Sequence, residues 1–554
     1  MMILVGVFIS SSINPGMIYS MSKGQMLVNV ENINNSLART WEKMIYHIFT
    51  IFYVISLVCL SIYGLQALLM SLLFLVKWKH NPPIPPEPQE WPSVTVQLPV
   101  YNERYVIERL IESVSNLDYP SNKLTIQVLD DSTDETTCLA DGKVKYYQKR
   151  GVNISLYHRK DRSGYKAGAL AAALPQAPGE LIAVLDADFR PPKDFLRRVV
   201  PYLAADPQLG MVQARWGHLN ADYNLVTRGQ AMFIDGHFVI EQTARSRSGL
   251  LFNFNGSGGV WRKTCIVDSG GWQDDTLAED LDLSYRAQLN GWRISYLPNV
   301  VIPGEIPPQI SAFKQQQYRW ARGAIQVLRK HFTKLSEGRQ LSLHQRLMAY
   351  LHLSGYLTHP LMLIFLISSL PVVLNSGHGL PYMPWLSLAG LGGPLLFGLS
   401  QVSIYRDWFH RLINLPILFC LGMGIAFSNT RAVIAGFSHA PGVFERTPKY
   451  HLESRRDGWQ GNMDSLHLDT DIIAELILAV YSAITLGFAV IYFPPLIPAL
   501  VMFTLSFAYS GITGLVQSQP RHTLNRTRYL NVVEASLSPT DLPSRIPPVK
   551  THIY

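Results

Sequence analysis

The chain has 554 residues, of which 48% are hydrophobic and only 16% charged, against about 25% charged in an average soluble domain. Its formal net charge is +8, and the stretches 44–76, 347–405, 412–430 and 476–520 contain no Asp, Glu, Lys or Arg. Since about 20 consecutive apolar residues suffice for a transmembrane helix, a wholly soluble protein, a disordered chain and a secreted disulfide scaffold are excluded.

Residues 1–43 carry no assignable pattern. Segment 44–76 is long enough for one tilted helix of about 50 Å. Lys77, Lys79 and His80 follow it and are expected on the cytosolic side, so 44–80 is read as a transmembrane helix. A linker rich in proline comes next (Pro82, Pro83, Pro85, Pro86, Pro88). The pattern then changes, and 81–335 reads as an ordinary globular domain. Short β-rich runs at Val94–Leu98, Leu124–Leu129, Ile154–Tyr157 and Leu181–Leu185 alternate with amphipathic segments. In 104–117, Val106, Leu110, Ile111, Val114 and Leu117 share one helical face. Strands alternating with helices predict a largely parallel sheet covered on both faces. Ligands of such sheets bind beyond the carboxyl ends of the strands.

Residues 336–520 read as a membrane domain. Segment 347–405 is predicted to form a hairpin of two spans turning at 375–384, and 476–520 a second hairpin turning at Pro494–Pro495. A single crossing by 412–430 places Arg431, Arg446, Lys449, Arg455 and Arg456 outside, against the positive-inside rule. Segment 412–437 is therefore expected to be interfacial or re-entrant. The basic tail 521–554 belongs in the cytosol. Residues 81–335 are close to neutral, so most of the +8 lies beside the apolar segments. That distribution fits a lipid bilayer and argues against a nucleic-acid partner. The four cysteines have no paired spacing, which fits a reduced compartment and argues against a zinc site.

Acidic motifs stand where ligands of such a sheet bind. Asp130-Asp131-Ser132 closes the second β run, and either accepts from a nucleoside or forms an Asx turn leading into a helix. Asp186-Ala187-Asp188 closes the fourth, where two carboxylates can share Mg²⁺ or Mn²⁺ with phosphate oxygens. Ala278-Glu279-Asp280 opens a helix, and Asp280 there is either a general base or a dipole-matched first-turn acid. Gln316-Gln317-Tyr318-Arg319-Trp320 lies on a basic amphipathic stretch, 311–334. It serves either a diphosphate and a sugar ring or a membrane surface. Lys166 stands among glycines in Arg162–Gly168, ahead of a helix start suited to phosphate. Asn255–Trp261 is a Gly-rich loop.

In order and spacing these pieces resemble the processive family 2 glycosyltransferases. The flanking strings QLPVYNE (97–103), DRSGYKAGAL (161–170), GSGGVWR (256–262) and QQQYRWARG (315–323) look most like the cellulose synthase-like mannan and glucan synthase branch. The resemblance implies a GT-A-type α/β domain inserted in an α-helical membrane domain. It implies an inverting enzyme that moves a hexose from UDP-glucose or GDP-mannose, with Mg²⁺ or Mn²⁺, to a growing β-linked polysaccharide, a β-1,4-glucan or mannan. The alternative is a glycolipid synthase that adds one or a few sugars to a lipid acceptor.

Carried over residue by residue, Asp130, Asp131, Lys166, Asp186 and Asp188 bind the nucleotide sugar, the last two through the metal. Asp280 is the base, and Gln316, Arg319 and Trp320 form the acceptor and diphosphate platform. Phe444, Arg446, Thr447 and Lys449 resemble a gating loop within 440–470. The usual Thr before Glu-Asp is Ala278 here. The catalytic domain is expected in the cytosol at a bacterial plasma membrane, or at the Golgi for a eukaryotic source. No protein partner is indicated.

Overall fold

The computed structural model describes residues 23–338, 340–375, 386–438, 442, 444–454, 457 and 470–518. The expectations for residues 1–22, for the turn at 376–384, for 458–469 and for the tail 521–554 lie outside them.

The globular region is a seven-stranded mixed sheet with spatial order β3-β2-β1-β4-β6-β5-β7. The strands are β1 Val94–Val100, β2 Leu124–Asp130, β3 Ile154–His158, β4 Leu181–Val184, β5 Leu209–His218, β6 Gly259–Arg262 and β7 Arg293–Gly304. All neighbouring pairs are parallel except those made by β6, which runs antiparallel to β4 and β5. The expected β runs are β1 to β4, each within a few residues of its predicted ends.

Strand side chains alternate between faces, and both faces are apolar. Val94, Val96 and Leu98 of β1, with Leu181 and Ala183 of β4, pack into one core. Ile182 and Val184 of β4 pack into the other, with Met211, Phe254 and Trp261. Near-continuous apolar strands follow from covering a sheet on both sides. The helix Ile107–Ser115 seals the first core with Ile107, Leu110, Ile111 and Val114, all fully buried. Burial of each such side chain is worth about 1.5–3 kcal/mol.

Among the described residues, four helices are long and apolar enough to cross a membrane: Lys43–Lys77, Gly355–Leu374, Thr470–Tyr492 and Pro494–Ser518. The first is the end of a helix that begins at Lys23. Its backbone meets the membrane helices at small residues: a Cβ on Gly64 lies 2.2 Å from the Ala389 carbonyl, and one on Gly392 lies 2.0 Å from the Gly64 carbonyl. Such contacts allow close helix crossing in lipid.

The membrane region departs from expectation in one place. The second limb of the 347–405 hairpin is two pieces, Leu386–Ala389 and Gly392–Ile404. Neither reaches the ~20 residues of a span alone. The break falls at Gly390–Leu391, and Gly392, Gly393 and Pro394 open the second piece. Segment 408–437 is a bent pair, Trp408–Gly424 and Ala426–Phe437, at 47°.

Candidate active site at the carboxyl edge of the sheet

A cleft of about 220 Å³ opens at the carboxyl edge of the parallel strands. Asp131 after β2, Asp186 and Asp188 after β4, and Glu305 after β7 all line it. Glu279 and Asp280, Gln316, Arg319 and Trp320, and the loop residues Phe444, Arg446, Thr447 and Lys449 line it too. The chain thus brings together every expected site residue but one.

The exception is Asp130, which turns away from the cleft. Its carboxylate is fully buried and accepts from the Ser132 N–H at 3.0 Å and the Thr137 hydroxyl at 2.6 Å, with His158 Nδ1 at 2.9 Å. This is the Asx turn into a helix, and it orients Asp131. Arg159 grips Asp131 in a fork at 2.7 and 2.6 Å, a geometry that fixes both carboxylate oxygens.

Lys166 is the electrostatic centre. Its ammonium lies 2.6 Å from Asp186 and 3.7 Å from Glu279, and donates to the Gly256 carbonyl at 2.9 Å. Burial pulls the ammonium down, but Asp186, Glu279 and Asp280 overcome it and hold its pKa above the ordinary value. Gly256 adopts φ +83°, and a Cβ there lies 2.9 Å from Asp280 Oδ2 and 3.3 Å from Lys166 Nζ. Only glycine offers both the left-handed backbone and room for this close approach.

Asp280 stands in the first turn of the helix Glu279–Leu289 and accepts from the Leu281 N–H at 2.8 Å. Burial, then the neighbouring Glu279, push its carboxyl up to about 7 against the pull of Lys166. A carboxylate poised there can take a proton near neutral pH. Asp282, two residues on, is spent on structure: Arg286 at 2.8 Å, His331 at 2.8 Å and Lys330 at 3.0 Å. The turn before Asp280 is pressed by the helix Ile310–Glu337. A Cβ on Gly323 lies 2.7 Å from the Ala278 Cβ, and Gln326 accepts from the Leu277 N–H at 2.9 Å. A small side chain at 278 suits that contact.

The same helix presents Gln316, Arg319 and Trp320 to the cleft, where Arg319 also holds the loop. Its guanidinium donates to the Glu445 carbonyl and, at 2.8 Å, to the Thr447 hydroxyl, and lies 4.5 Å over the Phe444 ring. Burial draws Arg319 down to about 10, which leaves it a cation at neutral pH. Lys449 contacts Asp188, and Arg446 lies 3.2 Å from Glu103. Burial lifts Glu103 to about 8 against Arg446 and Lys449.

The sequence reading passed over Glu103, Glu305 and Arg162. Arg162 packs 3.4 Å over the Tyr101 ring at the cleft's rim. A signal exists for Glu103, which follows a predicted β run as Asp131 and Asp188 do, whereas Glu305 follows β7, which is not among the predicted runs. Among the described residues no group of three His, Cys, Asp or Glu side chains is set to hold a metal. Asp186 and Asp188 are a two-carboxylate donor set of the kind that Mg²⁺ or Mn²⁺ shares with phosphate oxygens.

Residues 92–323 match the family described as glycosyltransferase like family 2. The globular domain is thus similar to glycosyltransferase family 2. Among curated proteins, this chain is 41% identical over 261 residues to the probable glucomannan 4-beta-mannosyltransferase 6 of Oryza sativa subsp. japonica, covering 46% of each. It is 40% identical over 260 residues to glucomannan 4-beta-mannosyltransferase 9 of Arabidopsis thaliana, covering 46% of this chain and 49% of that one. It thus spans about half the length of the curated relatives it matches. A mannosyltransferase from Pyrobaculum calidifontis, solved with GDP-Man and Mn²⁺, aligns at 21% identity and TM-score 0.48, over 69% of this chain and 99% of that one. The two curated relatives are plant proteins, and the expected bacterial plasma membrane finds no support in them.

Proposed function

We propose that this protein is a membrane-embedded, inverting glycosyltransferase that extends a β-1,4-linked mannan or glucomannan from a nucleotide-diphosphate sugar. One observation carries the reading: Asp280, its carboxyl lifted to about 7, shares one cleft with the two DxD carboxylates and with Arg319 and Trp320. The names of the curated relatives favour a mannosyl over a glucosyl donor and a polymer over a glycolipid. Four apolar helices support the membrane setting. We place the family 2 domain on the cytosolic side, at the Golgi given the plant relatives.

In this reading Asp131 and Lys166 hold the nucleoside and diphosphate. Asp186 and Asp188 would hold the Mg²⁺ or Mn²⁺, which neutralises diphosphate charge when bound. The acceptor's terminal sugar rests on Trp320. Its hydroxyl proton passes to Asp280 as the oxygen bonds the anomeric carbon from the face opposite the diphosphate. The bond to the diphosphate breaks, and Arg319 meets the charge that leaves. With the Phe444–Lys449 loop seated, the cleft is smaller than the ~300 Å³ at which ligand pockets usually begin. The loop therefore swings out to admit the donor and closes behind it, as lids do.

The deciding experiment uses the full chain in detergent. It is expected to release GDP from GDP-mannose, several-fold faster than UDP from UDP-glucose, and to build a product that β-mannanase digests. A product that runs as a lipid carrying one or two sugars overturns the polymer reading.

A further inference from the structure

A second cavity, of about 430 Å³, lies beside the cleft and shares Gly217 and His218 with it. Its wall carries two guanidinium groups and two carboxylates, which are not matched to one another. Asp222 is 3.5 Å from Arg228. Glu453 is 3.1 Å from Arg109 and 3.8 Å from Arg190. The acids thus find their counter-charges elsewhere.

Arg215 does not. It is half-buried, donates Nε to the Pro298 carbonyl at 2.9 Å, and has no carboxylate within ion-pair distance among the described residues. Arg411 is 3.1 Å from Asp407, whose carboxylate is more than half exposed and so only weakly attracts. A partly buried cation without a counter-ion is costly. A planar guanidinium is suited to a phosphate, whereas a neutral ligand leaves the charge of Arg215 uncompensated.

The position of the wall identifies the source of such an anion. Arg411 ends a short helix, Trp408–Arg411, that opens the bent apolar pair. Phe409 and Ile413 on this stretch are 70% and 75% exposed. Aromatic side chains at the entrance of an apolar segment sit at headgroup level. We propose that the cavity binds the phosphate of an anionic phospholipid headgroup, held between Arg215 and Arg411. A link to the catalytic cleft is built in: His218, which both cavities share, is 2.8 Å from Asp235, and Gln401 of the membrane region donates to that carboxylate at 3.1 Å.

The test is native mass spectrometry of the full chain in detergent, titrated with dioleoyl phosphatidate. The expected result is at least a tenfold weaker affinity in Arg215→Ala/Arg411→Ala and weaker binding of dioleoyl phosphatidylcholine to the wild type. Arg406→Ala is the control, because it removes an exposed cation next to the same helix without touching the cavity; it is expected to bind within twofold of wild type. Arg411→Gln, a milder change, is expected to lose the rise in melting temperature that phosphatidate gives the wild type. Equal binding by the double variant, an equal loss in Arg406→Ala, or equal binding of phosphatidylcholine overturns the site. Displacement of the lipid by millimolar inorganic phosphate overturns the lipid as source and assigns the cavity to free phosphate.

Discussion

Lys449 reaches Asp188 across 261 residues of sequence, and both side chains are almost buried in the contact. An ammonium thus covers the carboxylate edge that a divalent cation would share with a diphosphate, and the loop and the cation compete for Asp188. Lys449→Ala is expected to bind Mn²⁺ several-fold more tightly than wild type in the absence of donor, measured by electron paramagnetic resonance. The same variant is expected to raise the KM for donor, because the closed loop loses a charge that meets diphosphate. Unchanged Mn²⁺ affinity shows that the contact does not guard the site.

Asp188 itself is the sharper probe. Asp188→Asn keeps the shape and removes the charge facing the cation and the diphosphate. Transfer is expected to fall to near background, and wild-type transfer is expected to fall likewise in excess chelator. Full activity in chelator removes the metal from the mechanism.

Asp280 sets the pH dependence. A general base works only when ionised, and burial with the Glu279 charge raises this carboxyl to about 7. Below that value the proton stays on and activity is lost; above it the base is free. kcat/KM for acceptor is therefore expected to rise about tenfold per pH unit below about 6.5 and to level off above about 7.5. Asp280→Asn is expected to lose about 10²–10⁴-fold in turnover, the usual range for a general base, with donor affinity within twofold. Collapse of donor binding instead makes Asp280 a structural residue.

Gly256 tests the close packing around that base. Gly256→Ala forces a Cβ to 2.9 Å from the Asp280 carboxylate at a backbone angle that L-residues rarely adopt. Turnover is expected to fall at least tenfold, with the melting temperature lowered by a few degrees. Wild-type turnover shows that the loop has slack and that Asp280 does not depend on it.

Much of this site is legible in the sequence. Short β-rich runs place β1 to β4, and ligands of such sheets collect at carboxyl ends, so Asp131, Asp186 and Asp188 follow from strand ends alone. The alternation of side chains along a strand limits the first acidic pair: adjacent residues point to opposite faces, so Asp130 and Asp131 do not both face the cleft. The family resemblance treats the pair as a unit and so places Asp130 there. Glu103 closes the string QLPVYNE but belongs to none of the acidic motifs, and Glu305 follows β7, a strand without a predicted β run. The Lys449–Asp188 contact was out of reach, since no local period relates residues so far apart. In the membrane region the apolar composition of 386–404 concealed a helix break, because hydropathy counts residue types and not backbone continuity.

Trp320 gives the test that separates a polymerase from a single-addition enzyme. Trp320 lines the cleft, next to Arg319 on the same helix. Aromatic ring pairs gain about 0.5–1.5 kcal/mol; a similar gain for a sugar ring on the indole corresponds to roughly 2- to 13-fold in dissociation rate. If transfer itself does not need the ring, its removal acts on how long the chain stays between additions. Trp320→Ala is then expected to shorten the mean product by about that factor, while the initial rate of nucleotide release on a saturating short soluble acceptor changes less than twofold. Size-exclusion chromatography of the product measures the first quantity, and a coupled nucleotide assay the second. A fall in both by the same factor makes Trp320 part of the transfer step itself. A fall in neither removes it from the acceptor platform, and the retention of a growing chain then rests on other groups.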